Sequence, residues 1–223
     1  MSTIEPALRL WQLISPALPV GAYGHSQGLE TAVERGWVRD EASTLEWIAG
    51  QLEHGAAALE VPIGLRVHRA WRAGDDDALR YWNARLIAAR ETAELRAEER
   101  RLGAALWRLL PQLDVPVTLD FAPETPSFLV AFMAAAAHWG VPERTAACGH
   151  AWSVCENLVT AAIKLVPLGQ SAGQRLLFAL GGRIPQAVES GAALADDDIG
   201  RSNPRQALAS AWHERQYTRL FLS

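Results

Sequence analysis

Apolar residues recur at helical spacing along most of the chain, and no stretch alternates apolar and polar residues for long enough to build a sheet. Asp40 followed by EASTLEWIAGQLEHG predicts an acidic cap and first turn, with Leu45, Ile48, Ala49 and Leu52 on the inner face. Pro62 then allows a kink or a new start. Asp75, Asp76 and Asp77 mark another helix entrance, and good helix formers, broken by few turn residues, continue from Ala84 to Leu110. Prolines at 111, 116, 123 and 126 make the next stretch a connection, with room for a short extended piece over Val115–Leu119. Ser127 caps a helix that reaches Trp139, Pro142 opens another that continues to about Val166, and a further helix follows Pro167. Gly191–Ser202 has the composition of an exposed linker, after which Asn203 and Pro204 supply the cap and first residue of a last helix.

These elements predict an all-α protein: a bundle-like core over residues 1–190, a linker at 191–203 and a C-terminal helical tail at 204–223. With 223 residues, 49% hydrophobic and 21% charged, the chain can bury a large core without a staple. Cys148 and Cys155 lie seven apart in an apolar helical pattern, which suits buried thiols in a reducing compartment better than a disulfide framework. MSTIEPALRLW lacks the layout of a secretory signal, and the apolar run from Phe128 to Ala137 is too short to span a bilayer. A cytoplasmic protein without a membrane partner is expected. A net charge of −4 argues against nucleic acid as a partner.

Candidate chemistry begins at GAYGHSQGLE, residues 21–30, where GHSQG fits the G-x-S-x-G elbow of serine hydrolases. That elbow needs a strand before the serine and parallel strands to hold an acid and a histidine in register. Pro16 and Pro19 precede it instead, and no strand is predicted, so Ser26 is not read as a nucleophile. Cys148, His150 and Cys155 make a second candidate, but position 150 is rotated about 200° from position 148 on a helix, so the three do not converge on a metal. The remaining histidines show no ligand spacing. PLGQSAGQ at 167–174 resembles a phosphate loop but lacks the Gly-Lys-Ser/Thr ending. Neither a catalytic residue nor a metal ligand is assigned.

Two features point to binding. Lys164, the chain's single lysine, ends a polar stripe formed with Ser153, Asn157 and Thr160, uncharged until that lysine. Such a stripe fits an interface or a wet crevice as well as a solvent face. The final residues YTRLFLS are apolar and aromatic, interleaved with arginine, and must bury those groups on the protein's own core or on a partner. A movable linker before them favours the partner.

SPALPVGAYGHSQGLE at 15–30, KLVPLGQSAGQRLL at 164–177 and HERQYTRLFLS at 213–223 together resemble the UreF family of urease accessory proteins. ARETAELRAEERRLGAAL, beginning at Ala89, is similar to that family's central helix. The resemblance implies an all-α dimer that binds the UreD/UreH accessory protein and recruits the GTPase UreG to insert nickel into apo-urease. On that reading the chain is an adaptor and not an enzyme. It has no cofactor of its own, and nickel is handled by the assembled complex; direct nickel carriage by this chain is the alternative. The partner-binding positions so implied are Tyr23, His25, Ser26 and Glu30 in the first motif, and Lys164, Pro167, Gly169, Gln170 and Gln174 in the second. In the third they are His213, Gln216, Tyr217, Arg219, Leu220 and Phe221.

Overall fold

A computed structural model describes residues 4–122 and 124–223. Among them every regular element is helical: α1 (Ile4–Ile14), α2 (Leu29–Glu34), α3 (Glu41–Gln51), α4 (Glu60–Ala73), α5 (Asp76–Ala89), α6 (Ala93–Leu109), α7 (Phe128–His138), α8 (Glu143–Leu165), α9 (Gln170–Gly181), α10 (Ile184–Ala192) and α11 (Pro204–His213). The caps read from the sequence act as expected. Asp40 and Ser43 form a reciprocal capping box on α3, Asp75 accepts from the Ala78 N–H, and Ser127 accepts from that of Val130. Pro62 sits in the first turn of α4, after a π-helical turn over Leu52–Ala56, so it opens a helix and does not kink one.

Helix α7 is apolar on every side, and Leu129 through Ala137 are all buried. Packed by α1, α4, α6 and α8, it is the axis of one hydrophobic cluster, to which α5 adds Leu79, Trp82 and Leu86 from its place against α4. Helices α2, α3, α8, α9 and α10 enclose a second. Helix α4 serves both, turning Ile63 and Val67 to the first and Val61 and Leu65 to the second. Gly103 of α6 permits one tight crossing: a Cβ there would stand 2.0 Å from the Pro126 carbonyl oxygen.

Three local expectations are corrected or refined. The run of helix formers from Ala84 to Leu110 divides between two helices, because Arg90 turns extended to reach acidic partners and Thr92 caps α6 by accepting from the Leu95 N–H. Val115–Leu119 forms no strand; Val115 and Leu119 are instead buried in the first cluster. Most of Gly191–Ser202 is exposed, yet it is fastened. Arg66 binds Asp196 and the Leu194 carbonyl, Arg85 binds the carbonyls of Asp196 and Ile199, and Ile199 is buried.

Candidate functional site

The first and third motifs, nearly two hundred residues apart in sequence, form one clasp. Gly21 and Gly28 take φ of 84° and 83°, which lets the chain turn twice before α2 begins at Leu29. At Gly28 a side chain is also excluded by α11, since a Cβ would meet the Ser210 nitrogen at 3.1 Å. Into this loop the last two residues are laid by backbone hydrogen bonds: Leu222 N–H donates to the Gly24 carbonyl at 2.8 Å, and Ser26 N–H to the Ser223 carbonyl at 2.9 Å. The Ser26 hydroxyl donates to the same Ser223 oxygen at 2.7 Å and accepts from the Glu30 N–H at 3.3 Å. Ser26 is fully buried and its hydroxyl is committed to tail and helix start, while no strand leads into it. The geometry of a nucleophile elbow is absent there.

Hydrogen counting fixes the His25 tautomer. The Ser223 hydroxyl donates its one proton to Glu98 Oε2 at 2.7 Å, so His25 Nδ1, 2.9 Å from the same hydroxyl, is the donor. Nε2 then carries the lone pair, and it is buried without a protein partner. Burial pushes the His25 imidazole below its ordinary value, against the pull of Glu98. Glu98 also accepts from Gln27 at 2.8 Å, and the His25 carbonyl accepts from Asn157 of α8 at 2.9 Å.

Glu30 and Glu94 hold the rest of the tail. One Glu30 oxygen accepts the Leu220 N–H at 2.7 Å and the other accepts that of Phe221 at 2.9 Å, with His213 Nε2 3.3 Å away. His213, fully buried, turns Nδ1 to Glu94 at 2.6 Å, and Arg219 pairs with the other Glu94 oxygen at 2.6 Å. Gln216 accepts from Thr31. The Phe221 ring enters the second cluster with Lys164 above it, 5.7 Å from Nζ to the ring centre. Thr92 and Ser210 hydroxyls meet at 2.8 Å, and Trp37, its ring tilted against those of both Trp47 and Trp212, ties α11 to α3.

The tail therefore divides its apolar groups. Phe221 goes to the protein's own core, whereas Tyr217, Leu220 and Leu222 face outward, as does Tyr23 of the first motif. Of the second motif only Lys164 reaches the clasp. Pro167, Gly169, Gln170 and Gln174 lie exposed on the turn into α9 and its first turns. The polar stripe on α8 is a crevice: Ser153, Asn157 and Thr160 line a cavity of about 110 Å³. Cys155 is buried in the second cluster, its thiol pushed up to about 12 by burial, while His150 packs its ring against Phe128 and Phe132. Glu94 and Glu98 are the functional positions that motif reading missed. Their signal was present in the sequence, as carboxylates four apart on a helix whose neighbours Leu95 and Leu102 face inward.

The UreF family model matches residues 38–181. The chain belongs to the UreF family. It is 54% identical to a urease accessory protein UreF of Chromohalobacter salexigens, over 96% of this chain and 93% of that one. Proteins of the same name from Azoarcus sp. and Alkalilimnicola ehrlichii are 49% and 48% identical, over 98% and 96% of this chain and 96% and 95% of theirs.

Proposed function

We propose that this UreF-family protein is an adaptor in urease maturation, binding the UreD/UreH accessory protein and recruiting or regulating the GTPase UreG, so that nickel reaches apo-urease. The observation that carries this reading is the identity of about half of all positions, over nearly the full length of both chains, with proteins named urease accessory protein UreF. The clasp gives it a physical basis. A tail held by Glu30, Glu94 and Glu98 presents Tyr217, Leu220, Leu222 and Tyr23 on a fixed base, and large apolar side chains exposed together are what a docking surface requires. Pre-ordering also spares the partner the entropic cost of fixing the tail.

On this reading the protein works by binding and not by catalysis, as a cytoplasmic homodimer with nickel as cargo of the assembled complex. Among the described residues no helix is long and apolar enough to cross a membrane. The test is co-purification of the full chain with UreD/UreH alone and then with UreG added, with urease activity and nickel content as readouts. Capture of UreG only when UreD/UreH is present supports the adaptor; failure to capture either protein overturns it. Equilibrium dialysis of the isolated chain against Ni²⁺ separates the adaptor from a chain that carries nickel on its own ligands.

A further inference from the structure

The 110 Å³ cavity has a polar end that the clasp does not use. Leu13, Val20, Leu102 and Phe128 form apolar walls, and Glu60, Arg90 and Glu99 close one end. Arg90 is paired with both carboxylates, to Glu60 at 2.8 Å and to Glu99 more closely still. Two carboxylates against one guanidinium leave a formal charge of −2 + 1 = −1. His150 also lines the space, and burial keeps its imidazole below its ordinary value, so it does not supply the missing cation. Glu98, on the same wall, is already engaged by Gln27 and Ser223. Glu156 lies at the α8 side, where burial holds its carboxyl above the usual range.

Glu60 Oε2 is the atom without a partner: it is buried and accepts no hydrogen bond from the protein. A buried carboxylate oxygen left unpaired is costly, and a donor bearing positive charge answers it best. Arg90 Nε and the Gln51 amide also lack protein partners; Gln51 lines only an adjoining, water-sized space of about 30 Å³, whereas Glu60 and Arg90 stand between that space and the larger cavity and line both. A single water needs roughly 10–15 Å³ of such space, so the larger cavity takes a chain of several heavy atoms. Its exposed rim includes Pro16 and Tyr23, the latter 70% exposed, both in the first motif.

We propose that this cavity is the socket for a basic side chain, lysine or arginine, of an accessory protein docked across Pro16 and Tyr23, its aliphatic stem against the apolar walls and its cation on Glu60 Oε2. Basic side chains bury their stems on apolar surface while directing the charge to an acceptor. The inference rests on the adaptor reading for the source of that side chain, and its chemistry is tested without any partner. The full-length chain is titrated with n-butylammonium and with n-butanol, a neutral counterpart of the same length, following the methyl resonances of Leu13 and Val20. Butylammonium is expected to saturate at a concentration at least tenfold lower. Glu60→Gln, which retains an acceptor for Arg90, removes that advantage, and Leu18→Phe, which narrows the cavity, blocks both compounds with the thermal melt unchanged. Equal affinity for the two compounds, or an advantage that survives Glu60→Gln, overturns the socket. In pull-downs both variants lower capture of UreD/UreH about tenfold. Capture by the wild type and equally by both variants refutes the socket and leaves the adaptor standing, whereas no capture by the wild type refutes the adaptor and with it the side-chain occupant.

Discussion

Replacing Glu30 by glutamine isolates the clasp from the rest of the fold. Glu30 is 8% exposed, and its two oxygens accept the Leu220 and Phe221 N–H groups at 2.7 and 2.9 Å while facing His213 at 3.3 Å. An amide keeps one acceptor and turns a donor toward the other site, so one tail N–H loses its partner and meets a like dipole. A charge-assisted hydrogen bond contributes about 1.5–3 kcal/mol, and an orphaned buried donor costs about 1–3 kcal/mol. These overlap, so the expected loss is about 3 kcal/mol, on the order of a hundredfold in the opening equilibrium of the tail at about 1.4 kcal/mol per tenfold. Amide hydrogen exchange at Leu220 and Phe221 reads it directly. Protection there should fall about a hundredfold, while the amides of α7, in the other cluster, change little. Unchanged protection at 220 and 221 would refute the clasp. An equal loss throughout the molecule would show instead that the tail unfolds only with the core.

Ser26→Ala should lower stability by about 1–3 kcal/mol in a urea melt, because the hydroxyl is fully buried and both donates and accepts; a phosphonate that labels the wild type at Ser26 would contradict the structural role given to it. His25, His68 and His150 are all held below their ordinary value of 6.5, chiefly by burial. As pH falls through 6.5 the unfolded chain takes up protons that the folded one refuses, so stability drops progressively below that pH, by up to about 1.4 kcal/mol per unit for each histidine. Urea melts at pH 7.5 and 5.5 that coincide would refute this. Cys155, with its thiol pushed up to about 12, should not react with a disulfide reagent at pH 8 until the protein is denatured; prompt reaction of both thiols in the native protein would contradict its burial.

The helices were legible because caps and periodicity are local. Asp40, Asp75, Ser127 and Asn203 each announce a helix start within four residues, and each caps the helix that follows it. The break at Arg90 was only faintly legible, since Thr92 is the one residue of RLIAARETAEL that favours a new helix start. The chain leaves the helix there because a guanidinium is drawn between Glu60 and Glu99, and that attraction exists only in the folded protein. The site divides on the same principle. Its glycines, its apolar tail and Glu30 were singled out from the sequence, but Glu94 and Glu98, which complete the grip, were not.

The tail shows why they were missed. The run Leu220-Phe221-Leu222 offers two destinations, its own core or a partner, and the sequence gives no ground for dividing it between them. The structure separates them by alternation: Phe221 turns inward under Lys164, while Leu220 and Leu222 on either side turn out. Bends at Leu220 and Phe221 bring both of their N–H groups to the one Glu30 carboxylate while their side chains part. Such a segment must be gripped by its main chain, since only every second side chain can anchor it. Glu30 receives two consecutive amides, Gly24 and Ser26 bond the next two residues, and His213 and Arg219 meet on Glu94 to set where the segment begins. An acidic residue opposite a run of backbone N–H groups leaves no mark in the tail's own sequence. It follows that neutralising Glu30 and truncating Phe221 weaken the same grip by different routes, and their effects on exchange at Leu220 should fall short of additive.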